Sequence, residues 1–404
     1  MVEPAPPRAR RPRDRRSHIT RAAVTQFAAR GFHGVQLGEV AEAVGITAPA
    51  IYRHFPNKRA LLTHVVLDGV EHAAAAVAVA RASGGPPPVV LERVLYAVAS
   101  GAVSDHHGVT TLWKRESRSL DAADRDRLRD ILLAINADVA AAITARGGPA
   151  APGSDADLRA RAAIAALTSL STHRVPEPAE RAVALLCDMG HAAATAHLPS
   201  GAPVRTCPDT PSRAAHLSRR EELLAAAARL FRERGYAGVS VADLGAAVRV
   251  TGPSVYAHFA SKQEILAVLL ARTTESLALA TNAALAEAES PQDAVERLLR
   301  GYAGFALAHT DLLSVSLTEV AHLPEEARPD IHRARRDVVA EWIGAVRRLH
   351  PGIDATAARV RVYAAMSVIN DLVQVRALRA RGDLDACLTA VGRAVLTAPT
   401  DRRR

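Results

Sequence analysis

The sequence predicts an all-α protein built from two tandem halves, each a three-helix helix-turn-helix domain followed by a larger helical domain. Three observations predict this class. The chain matches itself at a shift of 204 residues. Its stretches between Gly/Pro breaks are Ala-, Leu- and Arg-rich and of helix length, and few segments alternate like strands. At 404 residues and 49% apolar, the chain is too long for one ordinary core and too apolar to be disordered.

The repeat is ordered. Phe27-Ala-Ala-Arg-Gly31 aligns with Phe231-Arg-Glu-Arg-Gly235, and Gly34-Val35 with Gly238-Val239. Thr47, Pro49, Tyr52, His54, Phe55 and Lys58 recur as Thr251, Pro253, Tyr256, His258, Phe259 and Lys262. In all, 17 of 47 positions agree from Arg16 to Leu62 without a gap. Chance in an Ala-rich chain explains the alanines but not the aromatic, Gly, Pro and Lys positions. The chain is a duplication.

Each copy opens with three short helices. Ile19, Ala22, Ala23 and Phe27 share one helical face, and Gly31 stops the helix. Leu37, Val40, Ala41 and Val44 repeat the pattern before Gly45. Thr47 then stands as an N-cap whose hydroxyl is free to accept a backbone N–H, with Pro49 in the first turn. In the second copy, Ser218-Arg-Arg-Glu221 reads as a capping box. Two short helices around a tight Gly turn, packed on a third, describe a helix-turn-helix; a plain helical hairpin is the alternative.

The residues after the turn narrow that choice. Gly45-Ile-Thr-Ala-Pro-Ala-Ile-Tyr-Arg-His-Phe-Pro-Asn-Lys-Arg-Ala-Leu-Leu62, with Phe27 to Gly34 leading in, resembles the DNA-binding signature of the TetR/AcrR repressor family. Thr251 to Leu266 matches it again. As a whole, the chain resembles the uncommon actinobacterial tandem kind, typified by a mycobacterial repressor of a lipid-uptake operon. That closer likeness rests on architecture and on Leu112-Trp-Lys-Arg-Glu116 and Asp311-Leu-Leu-Ser-Val-Ser-Leu-Thr-Glu319.

The resemblance implies a double-stranded DNA operator as partner and a cytoplasmic transcriptional regulator, a ligand-responsive repressor. Thr47, Ala48, Pro49 and Ala50 would open the recognition helix in the major groove, with Tyr52, His54 and Lys58 near backbone phosphates. Thr251, Gly252, Ser254, Tyr256, His258 and Lys262 would take the same places in the second copy. Arg53 is open to base readout, phosphate contact or plain surface exposure, and its counterpart is Ala257. With Ala48 and Ala50 replaced by Gly252 and Ser254, the two modules are expected to read two different half-sites. Gly45 becomes Arg249, which strains the turn if that position is left-handed.

The domains implied are a basic arm at 1–13, DNA-binding domains at 14–64 and 218–268, and regulatory domains at 65–198 and 269–398. A Pro-rich linker at 199–217 joins the halves, and a basic tail closes the chain at 399–404. Helices at 157–174, 179–197, 354–378 and 384–396 would close the halves into an internal pseudo-dimer. Further homodimerisation is left open. By family analogy, Trp113, Glu116, Arg118 and Glu319 line a pocket for a small hydrophobic, lipid-like effector. For each residue singly, helix-surface charge or a core tryptophan is the alternative.

Charge agrees with a nucleic-acid partner. Of the net +9, +4 lies in residues 1–16 and +2 in 401–404, leaving +3 for the body. Residues 16–62 carry +4 against +1 for 220–266, so the first module is the more basic. The arm reads as a minor-groove contact or a solvated tail. Cys187, Cys207 and Cys387 are widely spaced, as in a reducing compartment, and His106-His107 has no third ligand beside it. No nucleophile sits beside a base and no phosphate loop is present, so neither an enzyme nor a cofactor is expected. Apolar runs are broken before about 18 residues, so no membrane span is expected either. A helical ligand-sequestering or scaffolding protein with vestigial DNA modules is the alternative function.

Overall fold

The structure, a computed structural model, describes residues 12–103, 108–144, 150–171, 173, 175–199 and 218–399. All its regular structure is helical. The first half comprises α1 (Pro12–Arg30), α2 (Leu37–Ala43), α3 (Ala48–Tyr52), α4 (Lys58–Ala82), α5 (Pro87–Val103), α6 (Val109–Glu116), α7 (Ala122–Thr144), α8 (Asp155–Leu167) and α9 (Ala179–Ala194). The second comprises α10 (Arg219–Arg234), α11 (Val241–Ala247), α12 (Gly252–Tyr256), α13 (Lys262–Ala286), α14 (Pro291–Ala308), α15 (Thr310–Thr318), α16 (Arg328–Leu349), α17 (Ala355–Leu372), α18 (Arg376–Arg379) and α19 (Leu384–Leu396). Most of the arm, most of the linker, His106-His107, Cys207 and the basic tail lie outside the described residues. The first helix already begins at Pro12.

The apolar faces read from the sequence are buried. Ile19, Ala23, Phe27, Val40, Phe55 and Leu61 are all at most 2% exposed and run on into the core of the larger bundle, whereas the second module packs a separate cluster around Leu223, Phe231, Leu244, Val255 and Phe259. Side-chain caps start many helices: Asn57, Ser261, Ser290 and Asp354 each accept a backbone N–H of the first turn. Ser218 caps α10 in this way, but Glu221 does not complete the expected box; its carboxylate pairs with Arg272 at 2.5 Å.

No break separates each three-helix module from the helices that follow it. The boundaries drawn at 64/65 and 268/269 fall inside α4 and α13, each 25 residues long. One continuous helix is therefore shared by each module and the bundle that follows it. By length and composition alone α4 is also apolar enough to cross a membrane. It packs instead against α5 and α7, burying Leu61, Leu62, Val65, Val66 and Val70.

The halves close on each other through α8, α9, α17 and α19. Gly190 on α9 has no room for a Cβ, which would meet Leu167 Cδ2 of α8 at 2.6 Å. Among the described residues four ion pairs join the halves: Lys114–Asp371, Arg181–Asp354 and Arg118–Glu319 at 2.5 Å each, and Arg381–Asp155 at 2.9 Å. The two halves of the single chain thus pack against each other through these four helices.

Candidate nucleic-acid interface

The turn between the second and third helices of each module is set by one left-handed residue. Gly45 has φ 68° and Arg249 has φ 59°, the one non-glycine with positive φ among the described residues. The backbone closes alike in both: Ile46 N donates to Ala41 O at 3.0 Å and Val250 N to Gly245 O at 2.9 Å. The second module therefore keeps the turn at a cost of about 1–2 kcal/mol for an L side chain there.

Thr47 and Thr251 occupy the N-cap positions of α3 and α12 with extended backbone, φ −77° and −75°. Neither hydroxyl caps its helix, contrary to the expectation for Thr47. Thr251 Oγ1 instead bonds Ser254 Oγ at 2.9 Å. The outward surface of α3 comprises exposed Thr47, Ala48 and Pro49 with half-buried Ala50; that of α12 comprises Thr251, half-buried Gly252, and Ser254. Tyr52 and Tyr256 stand 54% and 56% exposed, unusual for large aromatics in a packed chain. Arg53 is exposed beside Tyr52, as are Ala257 and His258 beside Tyr256; His54 is half-buried.

Lys58 and Lys262 are placed differently from the other candidates. Lys58 Nζ donates to Val35 O at 2.8 Å and sits 4.6 Å from the Phe32 ring centroid. Lys262 Nζ donates to Tyr236 O at 2.9 Å and Val239 O at 2.8 Å, over the Tyr236 ring. Burial lowers both ammonium pKa values. Each amine ties the start of the long helix to the loop behind the first helix. In sequence a lysine just after the recognition helix reads as a phosphate contact; in the fold each amine is also bonded to backbone carbonyls.

Of the four effector candidates, only Trp113 and Arg118 line the large cavity, about 1690 Å³, that opens between the regulatory domains. Glu116 and Glu319 do not. Glu116 Oε1 accepts from Phe32 N at 3.1 Å, and Glu319 Oε2 from Tyr236 N at 3.3 Å. Each glutamate joins its regulatory domain to the residue after the glycine that ends the module's first helix. Both carboxylates face the backbone of their own module rather than the cavity. A carboxylate oxygen in each case is the acceptor for the backbone N–H that follows the module's first helix.

Burial opposes ionisation of Glu319, but His322 and Arg118 outweigh it and hold its carboxyl at about 2. Arg118, in the 3-10 turn Ser117–Ser119, crosses from one half to the other. It donates to Phe231 O at 2.8 Å, Arg232 O at 3.0 Å and Glu319 Oε1 at 2.5 Å. In the first module the corresponding carbonyl cap comes from its own half, Arg115 to Ala28 O at 2.9 Å.

The family model "Bacterial regulatory proteins, tetR family" matches the chain twice, at residues 19–65 and 223–269, the same 204-residue shift. Among curated proteins, the HTH-type transcriptional regulator CymR of Pseudomonas putida is 31% identical over 127 residues, 30% of this chain and 63% of that protein. The HTH-type transcriptional repressor KstR2 of Mycolicibacterium smegmatis is 41% identical over 63 residues, 16% and 30% respectively. The chain thus spans less than two thirds of these relatives' length. Among solved structures, a TetR-family regulator from Bordetella parapertussis aligns at 23% identity and TM-score 0.41, over 44% of this chain and 94% of that one.

Proposed function

The chain belongs to the tetR family of bacterial regulatory proteins, whose N-terminal domain it carries twice, and from that premise we propose a single-chain transcriptional regulator that grips one double-stranded DNA operator with two non-identical modules. One observation carries the reading. Two exposed recognition surfaces of the same backbone design, differing at Arg53/Ala257, Ala48/Gly252 and Ala50/Ser254, are fixed on one four-helix scaffold. Two modules on one frame serve as the two subunits of a symmetric dimer do, without the symmetry that demands a palindrome. Tyr52 and Tyr256 are positioned to meet phosphates, and the small residues at the start of α3 and α12 allow close backbone approach. Lys58 and Lys262 act behind the interface by holding the module in shape.

The regulator works in the cytoplasm as a ligand-responsive repressor. An effector in the cavity between the regulatory domains tilts α4 and α13, moves the modules off operator spacing and releases the DNA. Footprinting of the full chain on DNA upstream of its own gene tests the reading. Two protected patches of unlike sequence, about one helical turn apart, are expected. Affinity should fall steeply with salt. A perfect palindrome with identical contacts in both halves would sink the two-half-site reading. Absence of any salt-dependent specific binding would favour a ligand-sequestering protein with vestigial modules.

A further inference from the structure

The cavity between the regulatory domains is unevenly charged. Its lining holds ten Lys or Arg residues and three carboxylates, Asp126, Glu233 and Asp371. Each carboxylate already has a cation: Arg129 at 2.9 Å, Arg229 at 3.8 Å and Lys114 at 2.5 Å. The surplus concentrates on α16, where Arg328, His332, Arg335 and Arg336 follow at helical spacing and share one face of the cavity. Among the described residues, none of these three arginines has a carboxylate within 4 Å.

Arg328 donates to Leu323 O and Ala321 O at 2.9 Å each, and Arg335 to the backbone and hydroxyl oxygens of Ser316, all neutral acceptors. The matching helix of the first half is balanced on itself, Arg129 pairing with Asp126 at 2.9 Å and Asp130 at 3.7 Å. Like charges at i, i+7 and i+8 repel, and desolvation makes that repulsion stronger beside an apolar wall. Leu277, Leu313, Val338 and Met366 supply that wall in the same half.

We propose that the second half binds an anionic amphiphile, its carboxylate or phosphate group on Arg335 and Arg336 and its apolar chain along Leu277, Leu313 and Val338. The inference rests on the proposed function only in taking the cavity as an effector site. A bound anion supplies the counter-charge that the lining lacks, and guanidinium forks favour such planar or tetrahedral oxyanions. The position between the halves, with Lys114 of the first half held by Asp371 beside it, puts the ligand where it senses both.

Calorimetric titration of the full chain with four sub-micellar ten-carbon probes tests this: decanoate, decyl phosphate, decanol and decyltrimethylammonium. Decanoate, decyl phosphate or both should bind at least about tenfold tighter than decanol, and which of them does so assigns the head group. Arg336→Glu, at an exposed side chain, should weaken the anion about tenfold or more and leave decanol unchanged. Arg347→Glu, exposed elsewhere on α16, should change neither. Equal binding of decanol, tighter binding of the ammonium, or equal effects of the two substitutions overturns the proposal. Promoter binding of the same variants without probe is read separately. Its loss in the unmodified chain would sink the regulator reading and leave the anion site standing.

Discussion

Arg118 of the first half and Glu319 of the second meet at 2.5 Å beneath the second DNA-binding module, and Arg118 also caps the carbonyls of Phe231 and Arg232. The two modules are therefore held differently. The first rests on Arg115 and Glu116 of its own half, the second on its own Glu319 and on an arginine from the other half. Whatever moves the turn at Ser117–Ser119 is felt by the second module across the interface.

Arg118→Ala should loosen the second module and spare the first. Glu319 is 2% exposed and keeps His322 and the Tyr236 amide, so the loss is about 2–3 kcal/mol rather than that of a wholly stranded charge. Hydrogen exchange reads this by position. The amide of Gly235, bonded to Phe231 O, should exchange faster, while that of Gly31, bonded to Phe27 O, should not. Equal effects at both glycines would mean that Arg118 acts on the whole fold.

Arg249→Gly should stabilise the second module, because the residue sits at φ 59° where an L side chain is strained. The gain is about 1 kcal/mol, reduced by the extra freedom of glycine in the unfolded chain. The reverse change, Gly45→Arg at φ 68°, should cost about 1–2 kcal/mol in the first module. Denaturation of both variants checks the signs; an Arg249→Gly chain no more stable than its parent would mean that the turn bears no strain.

The helices, the duplication and the buried faces of the modules were legible because periodicity and fixed spacing report local geometry. The left-handed turn was legible too, since Gly45 against Arg249 poses the question in the sequence itself. The contacts of Glu116 and Glu319 are not legible in the sequence, because a carboxylate bonding a distant N–H leaves no local pattern. Their partners, Phe32 and Tyr236, lie 84 and 83 residues away. Arg118's reach of 113 residues to Phe231 is invisible for the same reason. The arginine face of α16 was readable as spacing, but its lack of counter-ions only the packing reveals.

Lys58→Gln and Arg53→Ala should separate module shape from DNA reading. Removing the Lys58 bond to Val35 O should lower stability without DNA by about 1 kcal/mol and weaken binding to all sequences alike. Arg53, exposed and free of such a bond, should leave stability within about 0.5 kcal/mol. If it reads a base, its loss relaxes preference at one position of one half-site. Thermal melts beside competition binding with single-base operator variants decide. An unchanged melt for Lys58→Gln would return that lysine to the phosphate backbone.

Acid should weaken the interface before it weakens the modules. His173 stacks on Tyr363 with centroids 4.0 Å apart, and burial, with Lys114 and Arg335 nearby, brings its pKa down to about 4. The unfolded chain takes up this proton as pH falls through about 6.5 and the folded chain only near 4, so the unfolded state binds more protons in between. Stability is therefore full above pH 6.5 and is lost as pH falls toward 4; the share lost by pH 5 is about 2 kcal/mol. Glu319, held at about 2, adds its own loss only below the ordinary carboxylate range, as pH falls from 4.5. Urea denaturation at pH 7 and pH 5 measures the first window. His173→Phe keeps a ring on Tyr363 but carries no proton, so it should remove most of that difference; an unchanged pH dependence would assign the loss to other groups.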